Sequence, residues 1–426
     1  MRHRRLARLS GIPASIAVFA AISSWAVDFE TPPEQPAAAS LPAELAAGPN
    51  FHVREPVAAD GLMPHYVLDS KFGVFPAYGR EALRIRVREV AALTQIAKTS
   101  DVEVVAKTVE GHVQSDVGAL AQVATHPVST VISIPKGIGH LFNGYKAQAG
   151  ELVDDQKAHD GSHAASDIAN TAKNDATRYA DRYLGVSAAE RRYYQQLGVD
   201  PYTNNAVLRR AIKHLAQVNA ATNLGMHFAG VPGLPYLGDV RRALDAIYNE
   251  DPAVLRARRR GVLAGYGLDS EEIKRFENTL LLSPTRQSVL EEEARLLDGV
   301  AGRDELFRHA MSVTSEEEIQ VFLQSTRMLA ALHRLHTVAM IIPGLRLPTA
   351  RLSDGRLVVM GAFDSVYWTG DVAGYEAAMH AALPEDSAAI QLWLLGSVSA
   401  RARSELAARG WDVHGQALEI LVDYLK

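Results

Sequence analysis

The chain has 426 residues, 47% of them hydrophobic and 22% charged, with a formal net charge of −5 and no cysteine. That balance belongs to a folded protein with room for two or three domains, not to a disordered or fibrous one. It excludes disulfides, thiolate catalysis and cysteine-ligated metal, and an acidic balance argues against a general role on nucleic acid.

The first residues stand apart. Arg2, Arg4, Arg5 and Arg8 precede the apolar run IPASIAVFAAISSWAV, and Ser24-Trp25-Ala26 sets small residues at the two positions that signal peptidase reads. A signal peptide over 1–26, cleaved after Ala26, is expected, with an uncleaved anchor as the alternative. The expected address is the periplasm or outside the cell. Removing those residues takes away four arginines and no acid, so the formal charge moves to −9. Residues 27–50 are a Pro/Ala-rich linker without a periodic apolar face.

A unit over 51–178 opens with two or three strands, FHVREPV and PHYVLDSKFGVFPAY, punctuated by Asp60-Gly61 and by Lys71-Phe72-Gly73. A helix follows at about 80–99, where Leu83, Val87, Val90, Leu93 and Ile96 recur at helical spacing. An uncharged run from Val117 to Pro135 leads into an amphipathic, glycine-marked segment with Lys136 and Lys146. Packing inside the protein explains that segment, and so would the plane of a membrane surface. Residues 147–177 are polar and weakly periodic.

A helical domain is expected over 179–336. Ser187 and Glu190 form a capping box, Gly198 ends that helix, and Asp251-Pro252, Asp269 with Glu272, Ser283-Pro284 and Thr314 with Glu317 start others. Within it, residues 214–238 carry no Asp, Glu, Lys or Arg. This stretch is long enough to cross a bilayer, but Gly230, Pro232, Gly233 and Pro235 break its second half. It reads as a buried helix of small residues and a tight apolar turn, with a lipid-contacting loop as the other option.

From about Thr337 the period changes to two. VAMIIPG reads as a strand, ARLSDGRLVVMGAF as a hairpin on Asp354-Gly355, 370–382 as a helix, and 390–415 as a βαβ-like unit before a terminal helix. The fold class expected is α+β, predominantly α. It comprises a small N-terminal β-meander, a central multi-helix block and a C-terminal α+β domain over 337–426.

Three phrases, HPVSTVISIPKGIGHLF (126–142), LGVSAAERRYYQQLGVDPYTNN (184–205) and LWLLGSVSARARSELAARGW (392–411), resemble a family of exported proteobacterial proteins. The resemblance runs from about residue 60 to the C-terminus and brings no activity, ligand or catalytic residue with it.

Candidate sites are few. Gly396-Ser-Val-Ser-Ala-Arg-Ala-Arg403 places Ser397, Ser399, Arg401 and Arg403 where a strand enters a helix, which suits an anion at a helix N-terminus; the plainer account is that Ser399 caps and the arginines are solvated. Ile134, Ile138, Phe142 and Phe228 are the contacts expected for a lipid or a protein partner. His333 and His336 share a helical face and could bind a metal only with a third ligand. His159, Asp160 and His163 form a weaker polar group. Ser133 and Lys136 satisfy a bare SxxK pattern, but a proline interrupts it and its partner motifs are missing. No cofactor is implied. The expectation is an exported, non-enzymatic envelope protein that binds a protein or lipid partner. The alternative is a periplasmic hydrolase of an envelope polymer or phosphoester, using Ser397, Arg401 and Arg403 as its anion end.

Overall fold

The computed structural model describes residues 29–99, 138, 140–142, 176–218, 241–384 and 389–424. The protein is α+β and predominantly helical. Two short turns of helix, α1 (Ala37–Ser40) and α2 (Ala43–Ala46), precede β1 (Ala47–Gly48), β2 (Phe51–Val53), β3 (Ala58–Ala59), β4 (Pro64–Ser70) and β5 (Gly73–Tyr78). These strands form one antiparallel sheet in which β4 pairs with β2, β3 and β5. Alternation along β4 buries Tyr66 and Leu68, while His65 and Val67 lie on the other face. Against the buried face packs α3 (Gly79–Thr99), whose Leu83, Val87, Val90 and Leu93 make the expected apolar stripe.

The helices α4 (Ala188–Leu197), α5 (Ala206–Val218), α6 (Arg241–Asn249), α7 (Pro252–Gly265), α8 (Ser270–Asn278), α9 (Pro284–Leu296), α10 (Asp304–Ala310) and α11 (Glu316–Leu335) follow. Their starts are those the sequence announces. Ser187 with Glu190, and Asp269 with Glu272, close reciprocal capping boxes, and Asp251 and Ser283 each cap a helix with proline at its first position. Gly198 ends α4 at φ 67°, a conformation costly for a residue with a Cβ. At α11 the start lies one residue from expectation. Ser315 is the cap, and Glu318 rather than Glu317 reaches back to the Thr314 backbone N–H.

A second sheet holds β6 (Val338–Ile341), β7 (Thr349–Leu352), β8 (Leu357–Gly361), β10 (Ile390–Leu394) and β12 (Trp411–His414), in the order β12-β10-β8-β7-β6. The hairpin β7–β8 turns on Asp354-Gly355, with Gly355 at φ 91°. β8, β10 and β12 run parallel, joined through α12 (Gly370–Ala382) and α13 (Ala400–Ala408). The expected βαβ unit is thus the second of two successive crossovers. A two-residue pair, β9 (Ser365–Val366) with β11 (Ser397–Val398), lies apart from the sheet, and α14 (Ala417–Leu421) follows β12 and runs into a 3-10 turn over Val422–Tyr424.

The helices of 179–336 do not share one core. Tyr194, Leu208 and Ile212 of α4 and α5 join the first sheet and α3, whereas Phe276, Leu290, Phe307 and Leu329 from α8 to α11 join the second sheet. We refer to these assemblies as the N-terminal and C-terminal lobes. Trp368, Trp393 and Trp411 are buried in the C-terminal lobe. Among the described residues no helix is long and apolar enough to cross a membrane.

Candidate functional site at the lobe junction

The loop leaving β8, Gly361 to Thr369, is one place where the two lobes meet; α6, which packs on both α4 and α9, is another. The Ala362 N–H donates to Ser325 on α11, and the Phe363 carbonyl accepts from Gly396. Ser365 and Tyr367 donate backbone N–H groups to the carbonyls of Leu62 and Gly61, at 3.2 and 2.8 Å, and so stitch the two lobes main chain to main chain. Asp364 reaches across to the head of α3, where its carboxylate accepts from the Arg80 N–H and serves as a cap supplied from 284 residues away. Gly396 permits this arrangement, because a Cβ there would lie 1.9 Å from the Asp364 carbonyl oxygen. Gly79, at φ 80°, has Met63 and the Asp364 carboxylate against it.

Burial raises the Asp364 carboxyl above the usual range, and Arg80 and Arg84 oppose this without cancelling it. Glu81, in the first turn of α3, is raised well above its range by burial, again opposed by Arg84 and Arg88. Asp60, a few residues away along the stitched segment, behaves differently. One of its oxygens accepts from the Leu62 and Met63 N–H groups; the other accepts from His65 at 3.0 Å and from the Tyr78 hydroxyl at 2.8 Å. Burial alone would raise this carboxyl, but His65 and the backbone donors outweigh it and hold it low.

Because Asp60 offers a carboxylate oxygen, the bond to His65 Nε2 assigns a proton to that nitrogen. The His65 side chain is 26% exposed, and its ring meets the Tyr78 ring edge to face. Gln320 of α11 donates to the Tyr78 carbonyl, and Glu317 lies close enough to act on Tyr78. Tyr375 of α12 stands beside Tyr78 and Asp60 and stacks on Phe142 at 4.5 Å. Burial raises both tyrosines, and the charges that add to it are acidic: Asp60 and Glu317 at Tyr78, Asp371 and Asp60 at Tyr375. The junction therefore presents one histidine, two tyrosines and an acidic field.

The sequence-marked residues lie elsewhere. Ser397 is exposed on β11 and Ser399 caps α13 by accepting from Ala402. The Ser399 hydroxyl donates to the Glu30 carboxylate at 2.6 Å, so the anion at this helix end is the chain's own. Arg401 pairs with Glu405 at 3.1 Å, and Arg403 donates to the Val413 carbonyl at 2.8 Å. His333 accepts the Val338 N–H on Nδ1 at 3.1 Å; burial lowers its pKa, and the Asp298 backbone and charge oppose this without cancelling it. His336 ends α11 three residues on. Among the described residues no group of three histidines or acids could hold a metal. Ile138 and Phe142 are 0% and 6% exposed in the C-terminal core, with the turn that carries Phe142 packed against α11 and α12, so neither side chain is accessible to a lipid or to a partner surface. Ile134, Phe228, Ser133, Lys136, His159, Asp160, His163 and most of 214–238 lie outside the described residues.

Asp60, His65 and Tyr78 were readable only as strand and turn residues. The one local signal was a buried-type acid five residues before a histidine at a strand start, and the pairing of β4 with β5 that adds Tyr78 is a tertiary fact. No family model matches the chain, and neither a curated protein nor a solved structure matches it.

Proposed function

We propose that the chain is an exported protein of the cell envelope that binds a protein partner, holding a cationic side chain of that partner at the lobe junction. The observation that carries this reading is the cluster of the His65, Tyr78 and Tyr375 rings with Glu317 at the junction, where the His65 side chain is 26% exposed. Carboxylates and aromatic faces together favour a guanidinium or ammonium group. A protein is preferred to a lipid because Ile138 and Phe142 are enclosed. Export is supported by the arginine-led apolar run at the N-terminus.

Titration of a hexa-arginine peptide at low salt tests the binding reading. Affinity should fall about tenfold in Glu317→Gln, which is roughly 1.4 kcal/mol, and stay unchanged in Arg403→Ala. Equal affinity in wild type and Glu317→Gln sinks it. Sequencing the N-terminus of protein recovered from the periplasmic fraction tests export, with Val27 as the expected first residue.

One observation favours a second reading, an envelope hydrolase. Asp60 orients His65 so that, in the neutral ring, Nδ1 could take a proton from an attacking water. Turnover of p-nitrophenyl esters that is lost in His65→Ala and retained in Arg403→Ala would support it, and absence of turnover by the wild-type chain would end it.

A further inference from the structure

The segment that precedes the first sheet crosses from one lobe to the other. Glu30 is fastened to the C-terminal lobe: its N–H donates to the Trp368 carbonyl at 2.8 Å, and its carboxylate accepts from the Trp368 N–H and the Ser399 hydroxyl. Five residues on, Gln35 exchanges both backbone hydrogen bonds with Val57 of the N-terminal lobe, at 3.0 and 2.8 Å. Between them runs Thr31-Pro-Pro-Glu-Gln35, where two prolines keep the chain extended and stiff. The strap thus spans the lobes on its own path, separate from the Gly61–Leu62 stitching.

We infer that Phe29 and Glu30 form a releasable latch, which holds the strap across the two lobes when the Glu30 carboxylate seats at the start of α13 and lets the strap swing away, with the Gly61–Leu62 stitching still in place, when it leaves. The seat suits a carboxylate, because the hydroxyl that caps α13 also donates to it and a helix start favours negative charge. The seat is also shallow. Phe29 rests on Gly370, where a Cβ would come within 3.6 Å of its ring, and remains 45% exposed. Three hydrogen bonds with little apolar burial are a contact that can open without unfolding either core. This inference stands on the strap geometry and is independent of the binding proposal.

Hydrogen exchange on the full chain tests it, comparing wild type with Glu30→Ala, Glu30→Gln and Gly370→Val. In Glu30→Ala, exchange should rise about tenfold at the Trp368 amide, in the first turn of α13 and at Val57, with α9 and α11 unchanged. Glu30→Gln, which keeps one acceptor, should fall between. Gly370→Val should reproduce the effect with Glu30 intact, by occupying the place of the Phe29 ring. Unchanged exchange at Trp368 and Val57 overturns the latch, and so does a uniform rise that includes α11.

Discussion

At the residue scale, two buried aspartates near the junction titrate in opposite directions. Asp364 is raised by burial, so its contribution to stability is full below the unfolded value of about 3.9 and is lost as pH rises through its higher folded value. Asp364→Asn keeps an acceptor for the Arg80 N–H and removes that decline. Its stability relative to wild type should therefore improve from acid to neutral pH, as read from urea midpoints at several pH values. Asp364→Ala strands the Arg80 donor and should cost about 1–3 kcal/mol at every pH. Asp60 is held low, so its contribution is present above about 3.9 and lost as pH falls through its folded value. The penalty of Asp60→Asn should be greatest at neutral pH and shrink toward pH 3; a constant penalty would show that His65 is not its charge partner. Gly396→Ala drives a methyl into the Asp364 carbonyl and should cost roughly 3 kcal/mol, visible as a lowered Tm. None of these roles was legible beforehand. Asp60-Gly61 looks like any turn, and Gly396 looks like part of a phosphate-type loop until the Asp364 backbone is seen against it.

At the element scale the sequence was more informative, because helix caps are local. Ser187, Asp251, Asp269 and Ser283 announce their helices by accepting hydrogen bonds two or three residues away, and no tertiary contact is needed to read them. The start of α11 was misplaced by one residue for a tertiary reason: Glu318 is fully buried beside Arg346, which selects it over Glu317 as the acid that reaches back to Thr314. The Glu293–Arg327 pair between α9 and α11 was equally hidden. Its partners are 34 residues apart and nearly unexposed, with burial raising the glutamate and Arg327 opposing it. Glu293→Ala leaves a buried guanidinium without its acid and should cost about 3–5 kcal/mol, whereas Glu293→Leu with Arg327→Met should restore most of that. Urea midpoints of the two variants decide it; a double variant no better than the single would show that the pair contributes more than its own compensation.

At the scale of the whole molecule, the division into lobes departs from the division in the sequence. Residues 179–336 look continuous because most of the described helices in them carry an apolar face, but the pattern of an apolar face does not say which sheet covers it. The structure gives α4 and α5 to the first sheet and α8 to α11 to the second. The loop after β8 joins the lobes through the Gly61 and Leu62 carbonyls, the Asp364 cap on α3 and the Met63 sulfur against the Asp364 N–H, and α6 joins them again by packing on both α4 and α9, beside the Thr285–Asp200 hydrogen bond. Such a junction should make the lobes unfold together. Beyond Trp25, the tryptophans are Trp368, Trp393 and Trp411, all in the C-terminal lobe, whereas far-UV circular dichroism reports helices of both. In urea the two signals should change at one midpoint in the wild-type chain. In Met63→Ala, which removes a side chain 1% exposed and packed on Asp364 and Gly79, the core loss should be about 2–5 kcal/mol and the fluorescence and dichroism midpoints should separate. Separate midpoints already present in the wild type would mean that the stitching at Gly61 and Leu62 positions the lobes without coupling their stability.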